Sequence, residues 1–529
     1  MHILMVAAEN DALPRGKVGG IGDVIRDVPK ALAAKGQSVS VITPGYGYHS
    51  QNNPSVLIKS FNVRFAEQSI HTHLFKVTTN SDQNGVTQYV LESELMQAER
   101  PGQLYVHDPD DRPFASDATK FAFFCLAVAE ALRQTLFEPV DVIHLHDWHA
   151  SCLALLLNFD KQYSELKKIP RVYSIHNLAL QGIRPFADDS SSLNAWYPWL
   201  KYQKKWLRDP GYKNCINLMR TGINLSHKVH AVSGRYAEEI TRESDHENGF
   251  FGGERLHKDL QRIHSEGRLV GIINGCEYEF IDYPDLTKRQ ALETSLADAE
   301  QWLHDEPENP NHQRAITNLK GWLSDDSCNL EHQPLLTSVG RLTEQKVGLL
   351  MWQDKHSDER LMAKLLESLK NVDGRLLMLG SGDKNLEQIL GELMCDYPHF
   401  VFLNGFGVGL SELFYEVGDL FLMPSLFEPC GISQMLAMRR GQPCLVNAVG
   451  GLAETIVHLQ TGFSFTGETL EQKASECHRV FDEALSMMVN EPKSYQSIKF
   501  AASQQRFDWA TSIDAYLREL YQADGESEA

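Results

Sequence analysis

The chain has 529 residues, too many for one hydrophobic core, so two or three domains are expected. Hydrophobic residues make up 42% and charged residues 23%, the balance of a globular protein rather than a disordered or fibrous one. A formal net charge of −20 argues against nucleic acid or anionic membrane as a partner, so an anionic ligand must meet positive charge gathered locally.

In chain order, residues 3–8 read as a continuous apolar strand, with neither the basic leader nor the long apolar segment of a signal peptide. Residues 22–35 carry apolar side chains at helical spacing, and residues 38–43 form a second strand, completing a βαβ unit of a parallel sheet. The longest apolar stretch, 121–132, is broken by Glu130 and too short to span a bilayer; a soluble, cytoplasmic chain is expected. The strand–helix–strand pattern returns at 140–145, 150–159 and 171–175. Residues 286–333 are polar and locally acidic, and Glu306-Pro-Glu-Asn-Pro-Asn311 reads as an exposed turn, so this stretch is expected to be a linker or insert. A second series of short buried strands follows at 334–338, 375–379, 400–402, 420–423 and 443–446. The chain closes on a short acidic tail, 524–529. Nine scattered cysteines without a Cys-x-x-Cys pair point to a reducing compartment rather than a disulfide framework. Two doubly wound halves facing across a cleft are expected, with ligands at the carboxyl ends of the strands.

Several strand ends carry chemistry. After the first strand come Glu9 and then Lys17-Val-Gly-Gly-Ile-Gly22-Asp23, which opens a helix. Gly19 and Gly20 would let backbone approach a phosphate at the helix N-terminus, with Lys17 adding a full charge; a plain tight turn is the alternative. In Ile143-His-Leu-His-Asp-Trp-His149, three His and an Asp invite a zinc reading. Strand alternation, however, puts His144 and His146 on one face and leaves Asp147 and His149 elsewhere, so Asp147 on a strand-end loop is preferred over a metal site. Asp108-Pro-Asp-Asp111 lies between Pro-containing turns and is read as a turn rather than a metal motif. His176 follows another strand. In the second half, Arg341 and Lys346, five apart, can both reach one anion from a strand-end loop. Glu428 and Gly431 in Met423-Pro-Ser-Leu-Phe-Glu428-Pro-Cys-Gly431, with Gly450 and Gly451 at the next helix start, could hold a sugar by its hydroxyls and a diphosphate by backbone N–H groups.

Taken in order, these segments resemble the glycogen and starch synthases of bacteria and plastids. The resemblance is carried by Lys17-Val-Gly-Gly-Ile-Gly-Asp-Val24, His146-Asp-Trp-His149, Ile175-His-Asn-Leu-Ala179, Ala231-Val-Ser233 and Gly271-Ile-Ile-Asn-Gly275. It continues through Arg341-Leu-Thr343 with Gln345-Lys346, Gly380-Ser-Gly-Asp383, Phe427-Glu-Pro-Cys-Gly431 and Gly450-Gly-Leu452, spanning roughly 1–280 and 334–520. It implies the α/β GT-B fold. The Rossmann-like acceptor-side domain would be 1–270 and the nucleotide-sugar-binding domain 271–503, with 504–529 returning as a helix to the first. The implied reaction is retaining transfer of glucose from a nucleotide-glucose, ADP-glucose favoured over UDP-glucose, to the 4-hydroxyl of an α-1,4-glucan. In that family Arg341 and Lys346, helped by Lys17, would neutralise the departing diphosphate. Glu428, His176 and Asn274 would hold the glucose, Asp147 and Glu9 would line the acceptor side, and Phe406 would pack near the base. Gly19, Gly20, Gly431, Gly450 and Gly451 would serve the donor. No metal and no other cofactor is implied, nor any nucleic-acid or membrane partner; the oligomeric state is not indicated.

The chain departs from the family's pattern at Gly275-Cys276-Glu277 (usually Gly-Ile-Asp), at Phe406 (commonly Tyr), at Val449 (commonly Thr) and over 286–333. These departures bear on the donor nucleotide and the acceptor. Three other readings compete: a related GT-B transferase using a small sugar or lipid acceptor, a pyridoxal phosphate-dependent phosphorylase, and a non-catalytic glucan-binding paralogue. Against the last, Glu9, Lys17, Asp147, His176, Asn274, Arg341, Lys346 and Glu428 are all present.

Overall fold

The computed structural model describes residues 1–79, 85–278, 286–325, 330–354 and 358–521. The chain divides into two units. The first comprises Met1–Ser244, Gly252–Gly275 and the chain from Trp509 onward; the second comprises Asp245–Phe251 and Cys276–Asp508.

The first unit is built on β1 (His2–Val6), β2 (Ser38–Pro44), β3 (Ser55–Phe65), β4 (Gln68–Val77), β5 (Val86–Glu92), β6 (Val142–His146) and β7 (Arg171–Ile175). After a small antiparallel pair, β8 (Ile183–Pro185) and β9 (Cys215–Asn217), come β10 (Lys228–Ala231) and β11 (Leu269–Gly271). The large sheet runs β11-β10-β7-β6-β1-β2-β5-β4-β3, parallel except for β4, which is antiparallel to both neighbours. Every residue of β1, β6 and β7 is buried, as expected of parallel strands covered on both faces, and polar ones among them, such as His144, His146 and Ser174, are buried with the rest. One face is covered by helix Gly20–Ala34 through Val24, Ile25, Val28 and Leu32, joined by Trp509, Ile513, Tyr516 and Leu520 of the returning C-terminal segment. The antiparallel extension β3–β5 was not anticipated. Its hairpin turns at Ala66 and Glu67, both with positive φ (49° and 65°), without the Asn-Gly or Asp-Gly pair that usually marks such a turn. Phe61, Val63 and Phe65 nonetheless alternate inward along β3.

The second unit contains β12 (Leu335–Val339), β13 (Arg375–Gly380), β14 (Phe400–Asn404), β15 (Leu420–Met423), β16 (Cys444–Asn447) and β17 (Phe463–Phe465). They are all parallel in the order β14-β13-β12-β15-β16-β17, which counted within the unit is the doubly wound 3-2-1-4-5-6.

The expected polar linker at 286–333 is corrected by the structure. It folds into two helices, Lys288–Asp305 and Pro310–Ser324, that belong to the second core through Ala291, Leu292, Ala299, Ala315, Ile316, Leu319 and Trp322. The Glu-Pro-Glu-Asn-Pro-Asn stretch is the turn between them: Asn309 caps the second helix and Pro310 opens it. Each helix buries one stripe and shows solvent the rest, so composition alone concealed it. Residues 245–251, inside the expected first domain, also join the second unit, where Lys473 Nζ donates to the carbonyls of Asn248 (2.5 Å) and Gly249 (3.1 Å). The acidic tail at 524–529 lies outside the described residues. Among the described residues no helix is long and apolar enough to cross a membrane.

Candidate functional site

In the first unit the sheet order reverses between β1 and β6, and the loops leaving the carboxyl ends of those strands carry Glu9 and Asp147. Such a switch point opens a crevice where ligands bind in parallel α/β sheets. Glu9 is 3% exposed and fully engaged. Its Oε1 accepts from the Tyr105 hydroxyl (2.7 Å), and its Oε2 accepts the N–H groups of Val18 (2.8 Å) and Gly19 (2.7 Å). Gly19 therefore has a different immediate role from the phosphate donor expected of it: its N–H holds the glycine loop to Glu9. Gly20 is exposed, with nothing within 4 Å of a Cβ placed there. Lys17 is exposed at the loop's start, its Nζ 2.6 Å from Asp23 Oδ1.

Asp147 adopts φ 53°, ψ −174°, a region costly for a non-glycine residue by about 1–3 kcal/mol. The conformation aims its Oδ1 at the backbone N–H of His176, 2.8 Å away. Burial raises the Asp147 carboxyl to about 8, against the pull of the His176 and Asn177 amides. His176 Nε2 lies 2.9 Å from His146 Nδ1, and the ring of His146 stacks on His144 at 4.3 Å, so the two strand histidines share one face as alternation requires. Behind them runs a directional hydrogen-bond chain. His230 Nε2–H donates to the Ile272 carbonyl (3.1 Å), so its Nδ1 accepts from the Ser174 hydroxyl (2.8 Å). The Ser174 oxygen then accepts from His144 Nε2–H (2.7 Å), and His144 Nδ1 accepts from the Tyr521 hydroxyl (2.7 Å). Burial lowers His176 to about 3 and His230 to about 4, and holds His144 and His146 well below the ordinary histidine value, so all four rings are neutral at pH 7. Asn274, just after β11, is 4% exposed, and its buried Oδ1 has no hydrogen-bond partner among the described residues.

The second unit has its own switch point between β12 and β15, tied by Ser338 Oγ donating to the Leu422 carbonyl at 2.8 Å. A pocket opens there, lined by residues that include Gly340, Arg341, Lys346, Pro424 and Ser425. Arg341 is exposed and makes no ion pair among the described residues. Lys346 Nζ lies 2.8 Å from Glu428 Oε2, joining residues 82 positions apart. Glu428 is 8% exposed, on the loop after β15. Gly431 (φ 77°) and Gly450 (φ 46°) occupy left-handed backbone, and a Cβ at Gly450 would stand 2.0 Å from the Glu428 carbonyl oxygen. The Gly451 N–H, expected to face a diphosphate, instead donates to the carbonyls of Glu428 and Pro429, both at 3.2 Å. The glycine pair thus allows close packing against the Glu428 loop. Phe406 is 75% exposed on the loop after β14.

Sequence reasoning passed over Tyr105, 96 residues from Glu9 and on an irregular loop with no local signal. It also passed over the partners of the histidine face, Ser174 and Tyr521. Among the described residues no three His, Cys, Asp or Glu side chains are grouped to hold a metal ion, and the described cysteines form no disulfide.

Residues 2–262 match a family described as starch synthase catalytic domain, and residues 333–483 match glycosyl transferases group 1. The chain is 31% identical over 535 residues to the glycogen synthase of Bacillus cereus strain B4264, covering 99% of each. It is 31% identical over 544 residues to the glycogen synthase of Streptococcus gordonii strain Challis, covering 99% of this chain and 100% of that one. Among solved structures, the catalytic domain of starch synthase IV from Arabidopsis thaliana, bound to ADP and acarbose, aligns with a TM-score of 0.73 at 23% identity over 98% of each chain.

Proposed function

The chain belongs to the glycogen and starch synthase family of retaining GT-B glycosyltransferases, and we propose that it transfers glucose from ADP-glucose to the 4-hydroxyl at the non-reducing end of an α-1,4-glucan. The observation that carries this reading is the Lys346–Glu428 pair beside the exposed Arg341, at the switch-point pocket of the second unit. A diphosphate leaving from an oxocarbenium-like sugar needs positive charge already in place, and Arg341 and Lys346 supply it in an otherwise acidic chain. Lys346 keeps ammonium donors beyond the one given to Glu428. Glu428 in turn orients Lys346 and presents carboxylate oxygens to sugar hydroxyls.

In the first unit, neutral His176 can bond a sugar hydroxyl without placing a like charge beside the developing cation. Asp147 acts from behind, holding the backbone of His176, and is read here as a positioning residue rather than a group facing the acceptor. The buried Oδ1 of Asn274, without a hydrogen-bond partner among the described residues, suits a sugar hydroxyl donor. Retention without a covalent intermediate would let the leaving phosphate take the proton of the incoming 4-hydroxyl on the same face. The charge on the leaving group is met by Arg341 and Lys346, so the reading calls for no divalent metal. Adenine is favoured over uracil because the Arabidopsis starch synthase IV holds ADP, and the acarbose bound to that protein supports a glucan on the acceptor side.

The test is transfer of labelled glucose to glycogen from ADP-glucose and, separately, from UDP-glucose, with a chelator present and a parallel reaction on small sugar acceptors. Incorporation into glycogen from ADP-glucose is the expected result. Transfer only from UDP-glucose would overturn the nucleotide assignment, and transfer only to small acceptors would overturn the glucan.

A further inference from the structure

We propose that Asp117 and Lys120, a buried ion pair on helix Ala115–Arg133, are positioning residues that lock the Lys17–Gly20 loop through Tyr105 and Glu9. The pair sits on a largely buried and apolar helix; Asp117 is 3% exposed and Lys120 5%, with 2.8 Å between Lys120 Nζ and Asp117 Oδ1. A buried pair is a poor source of stability, since desolvation offsets much of its attraction, so its other contacts matter. Those contacts grip the chain on both sides of Tyr105. Lys120 Nζ donates to the Leu104 carbonyl at 2.7 Å, and Asp117 Oδ2 accepts the Val106 N–H at 3.1 Å.

Tyr105, held at both neighbours, points its hydroxyl to Glu9 Oε1 at 2.7 Å, and Glu9 Oε2 holds the amides of Val18 and Gly19. A second route reaches the same place. The Lys120 ammonium lies 5.6 Å from the ring centre of Tyr46, whose hydroxyl donates to the Ala8 carbonyl at 2.6 Å, one residue before Glu9. Burial and the Glu9 charge hold the Tyr105 phenol well above its ordinary value, so it remains the donor to Glu9. The cation of Lys120 thus reaches the glycine loop through two tyrosines and one carboxylate, all within the first unit. The kinetic consequence rests on the glycosyltransferase reading above; the structural consequence does not.

The test uses the full chain and the variants Lys120→Met, Lys120→Arg, Tyr105→Phe, the combined Tyr105→Phe/Lys120→Met, and Asp117→Asn/Lys120→Met, which leaves no lone buried charge. Amide exchange over residues 16–22 is followed by mass spectrometry, beside turnover per folded molecule. Exchange at Val18 and Gly19 is expected to quicken about tenfold in Lys120→Met and in Tyr105→Phe, the equivalent of one lost hydrogen bond. The combined Tyr105→Phe/Lys120→Met variant should be no faster than the worse single one, and Lys120→Arg should regain most of the protection. Turnover should fall in the same rank order, with little change in the glucan KM. Wild-type exchange over 16–22 in folded Asp117→Asn/Lys120→Met, or additive effects in Tyr105→Phe/Lys120→Met, overturns the proposal. A wild-type protein without glucose transfer would defeat the functional reading alone, because the exchange measurements still decide this one.

Discussion

At the residue scale, Lys346 and Glu428 share one contact, so either substitution disturbs both the leaving-group charge and the sugar-facing carboxylate. Lys346→Ala and Glu428→Ala are each expected to lower turnover by about 100-fold or more with the fold retained, by analogy with losing one preorganised group at a developing charge. Steady-state kinetics together with circular dichroism check this, and near-wild-type rates in both variants would remove the pair from the mechanism. Gly450 makes a separate case. Its left-handed φ of 46° disfavours a side chain by about 1–2 kcal/mol, and a Cβ would meet the backbone oxygen of Glu428 at 2.0 Å. Backbone cannot swing aside as a flexible side chain does, so Gly450→Ala should displace the Glu428 loop. Turnover should fall by a larger factor than the urea midpoint accounts for; a stability loss with full activity per folded molecule would contradict this.

At the scale of elements, β6, β7 and β10 together bury a face of imidazoles that burial keeps neutral: His144, His146, His176 and His230. Each folded-state value lies below the unfolded value of about 6.5, so the unfolded chain binds the extra protons. Stability from these groups is present above pH 6.5 and is lost as pH falls toward their folded values. Each contributes a slope of up to about 1.4 kcal/mol per pH unit in that window. Between pH 6.5 and 5 the unfolded carboxylates have scarcely begun to protonate, so the loss there should come from histidine. It is offset by about one proton from Asp147, whose folded value of about 8 makes the folded chain bind an extra proton across the same window. Urea midpoints measured across that interval should drop steeply, and His144→Gln should flatten the slope by about one proton. An unchanged slope would show that His144 titrates alike in both states.

At the scale of the whole molecule, the returning segment supplies Trp509, Ile513, Tyr516, Leu520 and Tyr521 to the first core. Five such side chains contribute about 7–15 kcal/mol by burial, as much as the entire net stability of an ordinary domain. A chain ended after Asp508 should therefore lose the fold of its first unit. Limited proteolysis should cut within residues 1–244 and 252–275 while 276–508 stays protected; equal protection of both would show that the segment is dispensable.

Much of the architecture was legible because it rests on local pattern. Short apolar runs such as β1 and β15, separated by amphipathic helices, have few folded solutions other than a parallel sheet covered on both faces. The carboxyl ends of those strands then mark where Glu9, Asp147, His176, Arg341 and Glu428 lie. The β3–β4 hairpin and the helices at 288–324 escaped notice, the one because its turn lacks a glycine signal, the others because a half-exposed helix looks polar in composition. Contacts between distant residues were decided by tertiary structure alone: Tyr105 on Glu9, Lys346 on Glu428, and His144 on Tyr521, 377 positions away. The same holds for the N–H groups of Gly19 and Gly451, which spacing offered to a ligand and the fold directed to Glu9 and to the Glu428 and Pro429 carbonyls. Spacing along the chain sets which residues reach a strand end. Which hydrogen bond each one makes there depends on what long-range packing brings within 3 Å, and burial then selects the partner, because an unpaired polar group in that setting is costly.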